Sequence, residues 1–311
     1  MKKPLRKRGK LAGHLAWITL HLRRWVKKNI RNIAWHCLAD VRQNKEDATV
    51  FRKLLRHQSV FQSYVICPGN LSQWQYNKLR RGYEEESLWK KAIQSLLPYT
   101  MVTYDGLMSL VQITRHVQKE NVQGDLVEAG TWRGGAAGLM ALAASSVPGS
   151  VRRKIHLFDS FQGIPEPDRK HDPVDWIVND MKLPESEALG RLRGIKALEA
   201  PREDLEKVLF EICAYPREKV AIYEGWFQET VPLAARNIDT ISILRLDGDL
   251  YASTKVCLEH LYPKLVSGGF LIIDDWCLAG ARQAVTEYLE KQKHKPFRSL
   301  ADGTVCYFIK P

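Results

Sequence analysis

Paired cysteines are missing from this chain. Its six cysteines, Cys37, Cys67, Cys213, Cys257, Cys277 and Cys306, are scattered, with no CxxC and no Cys/His spacing of a zinc site. That argues against a disulfide framework or a structural zinc and for a reducing compartment. Cys257, Cys277 and Cys306 lie in apolar stretches and read as inert core thiols. No run approaches the ~18 consecutive apolar residues of a membrane span. The basic start MKKPLRKRGK leads into twelve residues, Leu11 to Leu22, interrupted by His14 and His21 and closed by Arg23-Arg24. A cleaved secretory signal is therefore not expected. The three-glycine GxGxxG fingerprint is absent too, which disfavours a nicotinamide-dependent oxidoreductase. Compositional bias is also lacking: 45% apolar and 26% charged residues, with 20 Gly and 14 Pro in 311, belong to a folded soluble chain.

Acid is scarce in one place only. The chain carries 47 Lys+Arg against 35 Asp+Glu, a formal charge of +12. Residues 1–60 hold 16 basic and 3 acidic side chains, a net of +13, so the remainder is balanced at 12 − 13 = −1. From Leu11 to Leu38 the apolar residues Leu11, Leu15, Ile18, Leu22, Trp25, Ile33 and Cys37 recur at helical spacing, interleaved with Arg23, Arg24, Lys27, Lys28 and Arg31. Such a basic amphipathic helix suits an anionic membrane surface, with tryptophan rings at the headgroups. It equally suits an arm packed on its own body or on a sister subunit of a homo-oligomer. Nucleic acid is disfavoured, because no motif for it accompanies the charge. The expected organisation is a helical arm and linker over residues 1–85 and a main domain over 86–311. The expected location is cytoplasmic, with the arm able to contact the inner face of a membrane.

Past Gly82 the pattern changes to short apolar runs alternating with helical stretches. Helices are predicted at Glu84–Ser95, Tyr104–Glu120, Ala136–Ser145, Tyr251–Leu261 and Ala279–Lys291. Strands are predicted at Asp125–Ala129, Ile155–Asp159, Val220–Glu224, Ile241–Leu246 and Gly269–Asp274, with Gly303–Ile309 closing the sheet antiparallel. That alternation predicts an α/β fold, a mostly parallel sheet with helices on both faces. Ligands of such sheets bind beyond the carboxyl ends of the strands. Each parallel strand ends in or is followed by an acid: Glu128, Asp159, Glu224, Asp247 and Asp274.

The first strand runs into Glu128-Ala-Gly-Thr-Trp-Arg-Gly-Gly135. An acid, a glycine turn and a second acid at the end of strand two suit S-adenosylmethionine, whose ribose hydroxyls a carboxylate can accept. A purely structural turn is the competing reading. Further on, Asp247-Gly-Asp249 and Asp274-Asp275 end two strands 27 residues apart, one crossover, so they should meet. Gathered carboxylates repel and raise one another's pKa unless a cation intervenes. Oxygen-only ligands at an open site suit Mg²⁺ or a similar hard cation. Pairing with Arg245 or Lys264, or capping of the following helices, is the structural alternative.

GDLVEAGTWRGG (124–135), FDSFQGIPEPD (158–168), YEGWFQETVP (223–232), LRLDGDLYAST (244–254) and GGFLIIDDW (268–276) resemble the macrocin O-methyltransferase family, which methylates sugar hydroxyls of natural products. The resemblance runs from about Thr100 to the C-terminus. It implies a Rossmann-like class I methyltransferase fold, S-adenosylmethionine as donor, and a divalent metal, usually Mg²⁺. By motif position Asp247, Asp274 and Asp275 are the metal ligands and Asp249 the general base. Asp247 thus also belongs to the catalytic pair. Thr100 and Met101, Glu128 and Gly130, Asp159 and Ser160, and Gly225, Trp226 and Phe227 match positions around the donor's methionine, ribose and adenine. The segment His171–Asp180 lies where the family has its substrate lid.

What this implies is methyl transfer to a hydroxyl of a sugar or glycosylated small molecule, by in-line alignment and proton removal. His156 and His171 rank behind Asp249 as bases, and Trp226 and Trp276 are divided between acceptor pocket and core. A catechol-type O-methyltransferase is the nearest rival. A degenerate binding module on a membrane-associating arm is disfavoured by the intact set of acids.

Overall fold

The computed structural model describes residues 82–149, 152–172, 190–195, 198–293 and 295–311. The predicted arm helix and the joint up to residue 81 lie outside them, as do residues 173–180 of the expected lid. The described residues form a seven-stranded sheet in the order β3-β2-β1-β4-β5-β7-β6. Its strands are β1 (Asp125–Ala129), β2 (Ile155–Asp159), β3 (Val220–Glu224), β4 (Ile241–Leu246), β5 (Leu265–Ile273), β6 (Phe297–Leu300) and β7 (Cys306–Ile309). The first five run parallel, and β7 joins β5 antiparallel, as does β6 its neighbour β7.

Central strands covered on both sides should read as unbroken apolar runs, and β4 is buried at every position. Alternation then divides the core. Leu126, Leu157, Ile243 and Ile272 face one way, toward α1 (Glu86–Leu96), α2 (Tyr104–Lys119) and α3 (Gly135–Ser145). Val127, Phe158, Leu244 and Leu271 face the other, toward α5 (Phe227–Ala234), α6 (Tyr251–Leu261) and α7 (Ala279–Glu290). Between β2 and β3, α4 (Arg202–Glu206) continues into a π-helical stretch, Lys207–Ile212, whose Val208 and Leu209 join the first of these layers.

The α/β architecture is the one expected, and each predicted strand is present. Three elements escaped notice. The α4 stretch is too short for a clear period, α5 carries an internal Pro232, and β6 is almost wholly exposed. No described helix is long and apolar enough to cross a membrane.

Candidate active site

The ladder does not stop where the strands end. Gly130 N–H donates to Phe158 O (2.9 Å), Asp247 N–H to Ala129 O (2.8 Å), Asp274 N–H to Leu246 O (2.9 Å) and Gly225 N–H to Asp159 O (2.9 Å). Asp159, Asp247 and Asp274 are therefore locked in register along one rim. Gly130 makes the closest passage: its φ is +91°, and a Cβ there would lie 1.6 Å from the Asp247 carbonyl oxygen. Any other residue would push the first turn away from β4.

Beyond that turn lies a cleft with an empty volume of about 610 Å³, its mouth included. Of the predicted residues, Met101, Gly130, Asp159, Ser160, Trp226, Phe227, Asp247 and Asp249 line it. Asp159 is already much occupied. Its Oδ2 accepts from the backbone N–H groups of Thr131 and Trp132, both at 2.8 Å, and its Oδ1 accepts from Phe161 N–H at 2.8 Å. Burial raises its pKa, opposed by those hydrogen bonds. Ser160 shapes the following loop, donating to Gly163 O and accepting from Gln162 N–H. Thr100 and Gly225 are not among the residues lining the cleft: Thr100 Oγ1 accepts from Val102 N–H, and Gly225 leads into α5.

The acids at the β4 and β5 ends do gather. Oxygens of Asp247, Asp274 and Asp275 lie within 4.8 Å of one another, and Asp275 Oδ2 accepts from the Asp249 backbone N–H at 2.8 Å. Asp249 itself sits at φ +58°, a left-handed conformation that costs an ordinary residue on the order of 1 kcal/mol.

A cation is built into this rim. Arg245 is 2% exposed, and its Nη1 donates to Glu128 Oε1 at 2.6 Å. Its Nη2 meets Asp274 Oδ1 at 2.5 Å and Asp247 Oδ2 at 3.0 Å. The alternative in which Arg245 pairs with these acids is thus present together with the cluster, whereas Lys264 forms no ion pair with them among the described residues. Glu128 is fully buried rather than part of the cleft wall, and its Oε2 has no hydrogen-bond partner.

One guanidinium serves three carboxylates, and Asp275 and Asp249 add two more beside them. The electrostatic consequence is visible in the acids. Burial first, then the charges of Asp247 and Asp274, push Glu128 up to about 8 against the pull of Arg245. Burial and the same neighbours push Asp249 up to about 8, and burial with Asp247 pushes Asp274 up to about 7 despite Arg245. Asp275 is raised well above the carboxylate range by burial and by Asp249, Asp247 and Asp274.

The two histidines are elsewhere. His156 Nε2–H donates to Asp125 Oδ2, since a carboxylate only accepts, and Nδ1 meets the Tyr223 hydroxyl, both at 3.0 Å. His171 bonds Asp168 and stacks on Tyr251, with ring centres 4.2 Å apart. Trp276 packs edge-on against Phe308 under Arg298, away from the cleft, whereas Trp226 faces it. Lining residues not singled out beforehand include Trp132, Ile164, Pro165, Gln228 and Ser253, which lie inside the quoted motifs, and Leu198, which lies outside every motif. Nothing in a lone apolar loop residue announces such a role.

A family model described as macrocin-O-methyltransferase (TylF) matches residues 56–310. The chain belongs to this family. The match begins 44 residues ahead of Thr100, where the motif resemblance starts. The family assignment makes the chain a methyltransferase, and its curated relatives carry that activity in their names. The 8-demethyl-8-(2,3-dimethoxy-alpha-L-rhamnosyl)-tetracenomycin-C 4'-O-methyltransferase of Streptomyces olivaceus is 35% identical over 210 residues, 68% of this chain and 75% of that protein. The demethyldecarbamoylnovobiocin O-methyltransferase of Streptomyces niveus is 38% identical over 196 residues, covering 62% and 68%. Among solved structures, the O-methyltransferase NovP superposes with a TM-score of 0.56 at 33% identity, over 68% of this chain and 82% of that one.

Proposed function

We propose that this member of the macrocin-O-methyltransferase family moves a methyl group from S-adenosylmethionine to a hydroxyl of a sugar or glycosylated small molecule, aided by Mg²⁺ or a similar divalent cation. The observation that carries the reading is the convergence of Asp247, Asp249, Asp274 and Asp275 at the rim of the cleft. Relatives named for action on a rhamnosylated tetracenomycin and on a novobiocin precursor support the acceptor class.

The residues present fit both groups. Three carboxylate oxygens within 4.8 Å form a hard, oxygen-only donor set. If Glu128, Asp247, Asp274 and Asp275 were all ionised, Arg245 would leave the cluster at −4 + 1 = −3, a surplus that a doubly positive ion suits. For the donor, the partnerless Glu128 Oε2 behind the first turn is a waiting acceptor for a cationic group, and Asp159 Oδ1 has capacity beyond its one backbone bond. When bound, S-adenosylmethionine supplies a methyl group already activated by its sulfonium. When bound, a divalent cation at Asp247, Asp274 and Asp275 would lower the pKa of an acceptor hydroxyl.

The chain then has two tasks. Met101, Trp226 and Phe227 shape the cleft and exclude water around the donor, and the first turn fixes its position. Asp249, held by its own N–H on Asp275, takes the acceptor's proton. An adjoining cavity lined by Asp168, Asp172, Gln228 and Ser253 offers polar partners for a hydroxyl-rich acceptor.

Calorimetry with S-adenosylmethionine, with and without Mg²⁺, tests the reading directly. Donor uptake by the purified protein is expected, and methyl transfer to a glycosylated acceptor that EDTA suppresses. Absence of donor uptake would overturn the reading, and EDTA-insensitive turnover would remove the metal from it.

A further inference from the structure

Arg245 is a single charged residue inside a strand whose other positions are apolar or a buried serine, ISILRL. Its guanidinium is planar and rigid, with two ends that face different business. Nη1 holds Glu128, at the end of β1 just before the turn at Gly130. Nη2 holds Asp274 and Asp247, from the ends of β5 and β4. Among the described residues no other basic side chain pairs with these three acids. At 2% exposure the fork cannot relax into water, and close-packed surroundings pass any displacement at one end to the other.

We propose that Arg245 is the positioning residue of the site, setting the spacing of Asp247 and Asp274 for a divalent cation and tying both to Glu128 on the donor side. This rests on the cation-assisted reading above. Its requirement is shape more than charge. A lysine at the same place keeps the positive charge but offers one compact ammonium in place of two fixed N–H ends, so it cannot hold Glu128 and the aspartate pair in one plane. A role limited to charge neutralisation would be met by lysine, and a role limited to folding would leave ligand affinity of the folded protein untouched.

The test uses the full chain as wild type, Arg245→Lys and Glu128→Gln, with thermal unfolding and near-UV circular dichroism to establish that each is folded. Mn²⁺ binding is followed by the electron paramagnetic resonance signal of the free ion, and S-adenosylhomocysteine binding by calorimetry. Arg245→Lys is expected to weaken Mn²⁺ by about tenfold or more. Folded Arg245→Lys that binds Mn²⁺ within twofold of wild type overturns the proposal. Should Arg245→Lys fail to fold, Glu128→Gln decides, because it loosens the Nη1 anchor and leaves every aspartate in place. Weakening of Mn²⁺ by about threefold is expected there, and unchanged Mn²⁺ affinity overturns the proposal. If wild type binds S-adenosylhomocysteine but no Mn²⁺, the cation-assisted reading itself has failed, and this proposal falls with it. If it binds neither, the donor reading has failed as well.

Discussion

The two ends of the sheet bury ionisable groups in opposite ways. At the amino end, Arg153 donates to Gln118 Oε1 (2.5 Å), Gly124 O (2.6 Å) and Val117 O (3.3 Å), and His156 is closed off by Asp125 and Tyr223. Charges there are few, partners are plentiful, and the network spans α2, β1, β2 and β3. At the carboxyl end five carboxylates crowd together, one guanidinium pairs with only three of them, and a buried oxygen of Glu128 is left over. A chain built only for stability would repeat the first arrangement at both ends. The second stores electrostatic tension, and that tension is what a cationic ligand can relieve.

The comparison breaks most visibly by removing one acid from the crowded end. Asp249→Asn is expected to lower turnover by about 10²–10⁴-fold, the range for losing a general base, with little change in donor affinity. Steady-state kinetics beside calorimetry separates the two, and retained turnover would strip Asp249 of the base role. Asp274→Asn should abolish the response to added Mg²⁺. Because it removes one of several mutually repelling charges, its unfolding temperature should stay the same or rise. At the other end the signs reverse. Arg153→Ala takes away three close hydrogen bonds, and about 2–3 kcal/mol of stability should go with them, while turnover per folded molecule stays as it was. Denaturant unfolding reads the first quantity and active-site titration the second.

Acidity sharpens the contrast further. Glu128 is raised from 4.5 to about 8 in the folded chain, so the folded state holds a proton that the unfolded chain releases. Its contribution to stability is complete below about pH 4.5 and is lost as pH rises through about 8. The unfolding temperature of the chain in EDTA should therefore fall across that window, and Glu128→Gln, which has no proton to lose, should flatten the fall. A profile that is equally steep in Glu128→Gln would place the titration elsewhere.

How much of this was legible beforehand follows from the same physics. Strands buried on both faces leave a one-dimensional mark, as in β1, β2 and β4, and an alternating or apolar run closed by an acid marks edge strand β3 and the end of β5, which is why β1 to β5 and the aspartates of DGD and DDW were legible in the letters alone. Arg245 was seen only as one alternative partner. Its signal was there: a lone arginine between Leu244 and Leu246 in a buried strand must have a buried anion opposite it. What the letters lack is which face it takes, and register across β1 and β5 settles that, with Arg245 beside Glu128 and Ile272. Edge strand β6 escaped because exposed edges carry little hydrophobic pattern. Trp132 and Leu198 escaped because both sit in loops at positive φ, where no periodicity applies.

The smallest expected effect probes whether the two ends are as separate as their chemistry. Tyr223→Phe deletes one hydroxyl, the partner of His156 Nδ1, and keeps the ring that stacks on Phe158 at 4.5 Å and on His156 at 5.9 Å. Only one hydrogen bond is lost, so about 1 kcal/mol of stability should follow, partly recovered where water reaches the exposed nitrogen. Tyr223 also precedes Glu224, Gly225 and Trp226, the path by which β3 reaches the cleft. If the amino-end network served only to hold the sheet, the KM for S-adenosylmethionine should be indistinguishable from wild type. A several-fold rise in KM would mean that the strand transmits its seating to Trp226, and the division between a quiet end and a tense one would have to be redrawn.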